Sequence, residues 1–372
     1  MPATLLAVAA LALIISPAAR LLNYGLLGSA LIACAAPKRR VPITSAVVLG
    51  LGLAFVRAQG SPAALSTLLA QAGMPFGFLG LGALAALAAR GDPDGATLVG
   101  ALGIPLGILL VLVAFLAGLM PRSGPTFDWR LMRLDRGLGF APSYLVARRL
   151  LAVPIASSLM RALYHALGFE MAVVYSAAQH QVLAQRAWRR VLAAVLAIAV
   201  IGPVLYLLCP ATGPLYAFAG FPWAEPDATR AAATAVPPDA ARNAMPSLHL
   251  AWTLVIYRGV SGSARWLRAV TLLWLGGTVV ATLGLGEHYA ADLVAAVPFA
   301  LTVERLVAGC IDARTALGLA FTGVWILLPR MPWAPNGLLT WTLMVSTVAA
   351  ALAVVGTEPA RVHAPHSQRA AA

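Results

Sequence analysis

Residues 266–308 read WLRAVTLLWLGGTVVATLGLGEHYAADLVAAVPFALTVERLVA, two apolar runs joined by a short polar turn. The runs cover 266–285 and 289–308. A helix of about 20 residues rises roughly 30 Å, which is the thickness of the hydrocarbon core of a bilayer. Glu287, His288 and Tyr289 form the turn, and Asp292 follows it. The stretch therefore predicts two membrane-spanning helices with titratable groups where they meet.

The composition of the whole chain is that of a membrane protein. Of its 372 residues 60% are hydrophobic and 10% are charged, with a mean hydropathy of +0.85, whereas soluble domains carry about 25% charged residues. Backbone groups inside a bilayer must be satisfied within their own segment, so the spans should be helices. We predict an all-α, polytopic transmembrane helical bundle of about 12 spans. They lie near 3–18, 21–37, 42–58, 63–89, 95–120, 157–183, 189–209, 247–260, 266–285, 289–308, 315–330 and 337–356.

The net charge of +13 comes from arginine, with Lys38 as the single lysine. The arginines form short clusters between apolar runs, as the positive-inside rule predicts, so we expect no nucleic-acid partner. This rule places the clusters at 38–40, 186–190, 258–268 and 305–314 in the cytoplasm. The loop 210–246 and the start of the helix at His288 then face the extracytoplasmic side.

Residues 122–149 carry six arginines on what this topology makes the outer side. Apolar and charged residues alternate over 128–136 at near-helical spacing, which favours an amphipathic helix lying in the membrane interface. In the alternative interpretation, 142–160 is a true span and the arginines lie inside. We favour the interfacial helix.

Two of the six histidines, His249 and His288, flank one predicted helical hairpin and return to the same face. His288 and Asp292 are four residues apart, hence on one side of a helix. A carboxylate at that spacing can fix the imidazole tautomer and leave the other nitrogen free to attack. His249 can then protonate a leaving group.

Phosphate chemistry also requires positive charge and hydrogen-bond donors around the equatorial oxygens. Arg242 is the nearest cation in sequence to His249, and Ser247 stands at the start of the next helix, where its hydroxyl and the backbone N–H groups can hold an anion. We add Tyr289 to this set of predicted phosphate ligands. The three cysteines, Cys34, Cys209 and Cys310, have no metal-ligand spacing and are predicted to be small buried residues.

The segments Met245-Pro246-Ser247-Leu248-His249 and His288-Tyr289-x-x-Asp292 resemble the second and third motifs of the type 2 phosphatidic acid phosphatase (PAP2) superfamily. Their form is closest to the branch that includes inositol phosphorylceramide synthase. The upstream segments Asp135-Arg136-Gly137-Leu138-Gly139-Phe140 and Cys209-Pro210-Ala211-Thr212-Gly213-Pro214 are also similar to that branch.

The resemblance implies that His288 forms a phosphohistidine, that Asp292 orients it, that His249 protonates the leaving group and that Ser247 contacts phosphate. It implies no metal and no cofactor. The chain departs from the superfamily in four respects, one of which is Leu248 in place of Gly in the second motif. The first motif, a Lys followed by Arg-Pro, is absent, Thr282 stands where Arg is frequent, and Glu287 precedes the nucleophile.

We expect five regions: N-terminal transmembrane helices at 1–121, an interfacial segment at 122–156, a PAP2-like six-helix catalytic core at 157–308, two further spans at 309–356 and a cytoplasmic tail at 357–372. The expected function is a multi-pass enzyme of the cell membrane, with an extracytoplasmic active site that acts on a lipid phosphate or phospholipid. Head-group transfer is favoured over hydrolysis. The alternative is a transporter, a flippase-like protein or a lipid-binding protein with a degenerate site.

Overall fold

A computed structural model describes residues 124–165, 167, 184–224, 236, 240–331 and 336–355. Every regular element in these ranges is a helix, as the composition predicted. A short 3-10 turn, Leu328–Arg330, follows the helix that ends at Leu327. In chain order the helices are α1 (Asp128–Gly137), α2 (Pro142–Leu151), α3 (Pro154–His165), α4 (Ala184–Leu208), α5 (Pro214–Ala217), α6 (Leu248–Gly259), α7 (Arg265–Gly284), α8 (Ala290–Val307), α9 (Ala313–Leu327) and α10 (Gly337–Val355).

Two of the described helices, α7 and α10, are long and apolar enough to cross a membrane. The predicted spans from 247–260 to 337–356 correspond to α6–α10, with ends that differ by a few residues. The five spans predicted before residue 121, most of 157–183 and the tail at 357–372 lie outside the described residues. A total of twelve spans stays a prediction.

Helix α6 packs against α4, α7 and α8. It has no continuous polar face, and seven of its twelve residues are buried, as expected of a helix surrounded by other helices. Its largest side chain, Trp252, is fully buried and donates its indole N–H to the Val195 carbonyl of α4 at 3.0 Å. Helices α2 and α3 pack on α7, and α9 and α10 pack on α8.

Helix α1 is not only an amphipathic surface helix. It buries Leu131, Met132 and Leu134 in a second apolar cluster and also buries the carboxylates of Asp128 and Asp135. The side chains of Arg130, Arg133 and Arg136 are partly exposed. The predicted helix is therefore confirmed, but its buried face is apolar and acidic, and that face packs on α8 and α10.

The single helix that the alternative interpretation requires at 142–160 is not what the structure shows. The segment breaks at Ala152 and Val153, because Pro154 starts a new helix. Helix α2 has 10 residues, about 15 Å of rise, which is half the thickness of a bilayer core.

Asp135 links α1 to two other helices. Its Oδ2 accepts hydrogen bonds from the Ser143 hydroxyl of α2 at 3.0 Å and from the backbone N–H of Ala290 at 3.2 Å. Its Oδ1 accepts from the N–H of Ala291 at 3.4 Å. Asp135 thus caps the N-terminus of α8 from another helix, and the positive end of the α8 dipole faces its carboxylate.

Replacement of Asp135 by Asn should change how stability depends on pH. Burial, reinforced by the charge of Asp292, raises the pKa of Asp135 to about 7, although hydrogen bonds from Ala290, Ser143 and Ala291 oppose the shift. Because Asp135 binds its proton more tightly in the folded state, it stabilises the fold at pH values below the pKa of the unfolded chain, near 4. This stabilisation is lost as the pH rises toward 7.

Asn does not titrate, so the melting temperature of Asp135→Asn minus that of the wild type should be higher at pH 7.5 than at pH 4.5. We expect a change of at least about 3 °C in this difference, measured by thermal unfolding in detergent. A difference that stays constant over this range would contradict the assignment.

Candidate active site

The two predicted catalytic histidines meet at one end of the helix bundle. His249 is the second residue of α6, and His288 lies in the turn between α7 and α8. Because α6 and α7 form an antiparallel hairpin, His288 returns to the end where α6 begins. The ring centroids of His249 and His288 are 6.4 Å apart, and the two rings are steeply inclined to each other.

The His288 ring is held by the backbone of the segment that precedes α6. Its Nδ1 lies 2.8 Å from the Ala244 carbonyl oxygen. A carbonyl can only accept, so Nδ1 carries the proton and Nε2 keeps its lone pair. The nearest Asp292 carboxylate oxygen is 3.4 Å from the same Nδ1. The shortest contact that fixes the tautomer is therefore a backbone carbonyl rather than the carboxylate expected from the i, i+4 spacing.

Asp292 is fully buried in the first turn of α8 and has a second contact there. Its Oδ2 accepts the backbone N–H of Tyr289 at 2.9 Å, in the manner of a helix capping box. The same oxygen thus caps the helix and stays close to the His288 ring. This arrangement explains why Asp292 stands further from Nδ1 than Ala244 does.

The electrostatics of the turn favour a neutral imidazole. Burial lowers the pKa of His288 to about 4, although the neighbouring Glu287 and the Ala244 hydrogen bond oppose the shift. His288 is thus uncharged at neutral pH, the form in which Nε2 can attack an electrophile. Burial also raises the pKa of Glu287, against the opposing effects of His288, Tyr216 and Arg161.

His249 is held by an aromatic stack from α3. The ring of Tyr164 lies parallel to His249, with centroids 3.9 Å apart, and Trp252 of α6 stands edge-on at 6.3 Å. Sequence reasoning did not assign Tyr164 to the site. The packing of α3 against α7, which brings Tyr164 there, is a tertiary contact without a local sequence signal.

The three residues predicted to bind phosphate lie in different environments. Ser247 is fully buried as the N-cap of α6, and its hydroxyl accepts the N–H of Leu250 at 3.5 Å. Arg242 is buried two residues before Ala244. Tyr289 is fully buried, and its hydroxyl donates to Asp128 of α1 at 2.8 Å. The geometry favours a phosphate contact least for Tyr289, because its hydroxyl is already bonded to a carboxylate.

A second group of polar residues faces the same turn. The Tyr216 hydroxyl donates to Glu287 Oε1 at 3.2 Å. Arg161 of α3, three residues before Tyr164, is exposed, and its charge acts on both Glu287 and Tyr216. Arg161 is a cation near the site that the sequence reasoning missed. The feature of the sequence that could have drawn attention to Arg161 is its position three residues before Tyr164.

The turn that carries His288 is closely packed against the loop at 210–224. Leu215 donates its N–H to the Gly286 carbonyl at 2.9 Å. Gly213 has a φ of +89°, and a Cβ there would lie 2.3 Å from the Glu287 carbonyl oxygen. Only glycine allows both this backbone conformation and this approach. Main-chain contacts at Gly213 and Leu215 therefore hold the loop against the turn, in addition to the side-chain hydrogen bond from Tyr216 to Glu287.

A comparison with family models supports the resemblance noted in the sequence. Neither a curated protein nor a solved structure gives a significant match to this chain. Nothing in these comparisons favours the branch that includes inositol phosphorylceramide synthase. The residues from the first turn of α1 to the last turn of α8, 129–305, which contain both histidines and Asp292, match the model of the PAP2 superfamily, and this match indicates phosphatase-type or phosphotransferase-type activity.

Proposed function

We propose that this protein is a membrane enzyme that transfers the phosphoryl or phosphodiester group of a lipid through a phosphohistidine on His288. The geometry of the two histidines is the main support for this proposal. The imidazoles of His249 and His288 converge at 6.4 Å within the stretch that matches the PAP2 superfamily, and His288 Nδ1 is engaged by the Ala244 carbonyl. Nε2 of His288 is therefore the nitrogen that can act as the nucleophile.

In the first half of the proposed reaction, His288 Nε2 attacks phosphorus and the bond from phosphorus to the leaving oxygen breaks. The imidazolium of His249 gives its proton to that oxygen, so the lipid leaves as an alcohol. The positive charge that develops on the His288 ring is stabilised by the Ala244 carbonyl at 2.8 Å and by Asp292 at 3.4 Å. Both groups therefore bind the charged transition state more strongly than the neutral ring.

In the second half, water or a hydroxyl group attacks the phosphohistidine. The new oxygen–phosphorus bond forms, the Nε2–phosphorus bond breaks, and the neutral His249 takes the proton of the acceptor. His249 thereby returns to its starting protonation state. Water as the acceptor gives a phosphatase, and a lipid or polyol hydroxyl gives a phosphotransferase. We favour head-group transfer, because the Pro-Ser-Leu-His and His-Tyr forms resemble the synthase branch.

A lipid substrate is supported by the outer surface of the bundle. Helix α10 exposes Leu338, Val345 and Leu352, which lie seven residues apart along one face. Helix α7 exposes Leu273 and Val280 at the same spacing. An apolar stripe of this kind on a helix of spanning length is suited to acyl chains. We propose that the site at the end of α6 lies at the level of the lipid head groups, on the extracytoplasmic surface of the cell membrane.

Replacement of His288 by Ala should abolish turnover and phosphohistidine formation, because the nucleophile is lost. His249→Ala should slow phosphohistidine formation by about 10²- to 10⁴-fold, the usual contribution of a general acid. The measurement is rapid-quench trapping of labelled enzyme in alkaline denaturant, because the P–N bond of phosphohistidine is hydrolysed in acid, with a panel of lipid phosphates and phospholipids labelled with ³²P.

The matched control is His363→Ala, which removes a histidine from the polar C-terminal stretch and should leave labelling unchanged. Phosphate release or head-group transfer that persists in His288→Ala would overturn the mechanism. Transport of lipid by His288→Ala without any wild-type labelling would favour the transporter alternative.

Arg242→Gln should weaken substrate capture. We propose that Arg242, buried beside the segment that holds His288, supplies positive charge to the phosphoryl oxygens. Loss of one charge-assisted contact of about 1.5–3 kcal/mol lowers kcat/KM roughly 10- to 100-fold.

Arg242→Lys keeps the charge and should retain more of kcat/KM than Arg242→Gln does. Arg265→Gln, at the exposed start of α7, is the control and should have no effect. Equal kcat/KM in wild type and Arg242→Gln would assign the phosphate cation elsewhere, with Arg161 as the next position to test.

A further inference from the structure

Helix α1 presents two carboxylates to the same end of the bundle. Asp128 and Asp135 are seven residues apart, two helical turns, and both are fully buried. The second belongs to the Asp135-Arg136-Gly137 segment, to which the proposed mechanism gives no role. A buried carboxylate is costly unless hydrogen bonds compensate it, so such a pair requires a structural or functional reason.

Asp128 holds the two chain segments that border His288. Its Oδ1 accepts the backbone N–H of Gly213 at 3.0 Å and the hydroxyl of Tyr289 at 2.8 Å. The N–H of Thr212 lies 3.0 Å from the same oxygen. One carboxylate therefore connects the loop before α5 to the residue that follows His288.

Asp135 holds the helix that begins immediately after that turn. Its contacts with the N–H groups of Ala290 and Ala291 fix the first turn of α8, and the Ser143 hydroxyl fixes Asp135 in place. Both carboxylates of α1 thus act on residues within three positions of His288. They touch neither of the two histidine rings.

The other side of the turn is tied to α7. The backbone N–H groups of Glu287 and His288 donate to the Thr282 carbonyl at 3.1 and 3.2 Å. With α7 on one side and α1 on the other, the five-residue turn 285–289 has little freedom to rotate. The direction of the His288 ring relative to His249 depends on both attachments.

We propose that Asp128 and Asp135 are positioning residues of the phosphohistidine site, and that α1 is the clamp that aims His288 Nε2 at the substrate. The proposal rests on the proposed function of His288. A displacement of about 1 Å at a reacting atom can cost roughly 10²-fold in rate. Loss of either carboxylate should therefore lower the rate of phosphoryl transfer to His288 more than it weakens substrate binding.

The test compares Asp135→Ala and Asp128→Asn with Asp312→Ala. Asp312 is the control for helix capping: it accepts the N–H groups of Arg314 and Thr315 at the start of α9, but it is exposed and pairs with Arg305. We expect kcat and single-turnover phosphohistidine formation to fall about 10- to 100-fold in the two α1 variants, with KM changed less than about 3-fold. Asp312→Ala should lower the melting temperature without lowering kcat.

A double-mutant cycle tests the contact between α1 and the turn directly. Asp128→Asn and Tyr289→Phe each weaken the same hydrogen bond, so the double variant should be little slower than the slower single variant. Multiplicative losses would contradict a shared role. If Asp135→Ala does not fold, Asp135→Asn retains an oxygen that can accept from Ala290, and kcat should lie between that of wild type and the Asp128→Asn value.

A measurement that does not depend on turnover distinguishes the proposed function from the proposed clamp. In protein labelled with ¹⁵N-histidine, the His288 imidazole, assigned by its loss in His288→Ala, should show a protonated Nδ1 and a bare Nε2. The α1 variants should shift these resonances, and Asp312→Ala should not. No labelled phosphohistidine in wild type would refute the proposed function. Normal labelling and unshifted resonances in the folded α1 variants would refute the clamp alone.

Discussion

The hydrogen bond between His288 Nδ1 and the Ala244 carbonyl connects two motifs that are 44 residues apart. It defines which nitrogen of the ring is free, and it requires the segment before α6 to lie against the turn before α8. The Pro-Ser-Leu-His segment is thereby brought to the same place, because His249 follows Ala244 by five residues. The other contacts at this end of the bundle keep these two segments side by side.

Buried acids surround the turn that carries His288. Asp128, Asp135 and Asp292 are all fully buried, and each accepts backbone N–H groups. Oriented N–H groups can stabilise a carboxylate without mobile side chains. The carboxylates therefore organise the backbone around His288, and cations such as Arg242 and Arg161 need not neutralise them.

The sequence was informative where the signal is local. The lengths of the apolar runs predicted α6, α7, α8 and α10, and the hairpin topology predicted that His249 and His288 would meet. The spacing of four residues placed Asp292 near His288, but the two do not share a helix face, because His288 lies in the turn before α8 and Asp292 caps that helix. Contacts that depend on tertiary packing were not predictable. The Ala244 carbonyl is a backbone group without a residue signature, and the stack of Tyr164 depends on how α3 lies on α7. The acids of α1 resembled the polar side of an interfacial helix, since six arginines surround them in sequence.

The close approach of Gly213 to the Glu287 carbonyl has a consequence for how such a site can diverge. The contact involves main-chain atoms only, so it is insensitive to the side chains that follow. Leu215, Tyr216 and Trp223, further along the same loop, have exposed side chains. Substitutions at these three positions alter the surface beside the turn while the main-chain contact stays in place. The surface beside the turn and the main-chain position of the residue next to His288 can in this way change independently of each other.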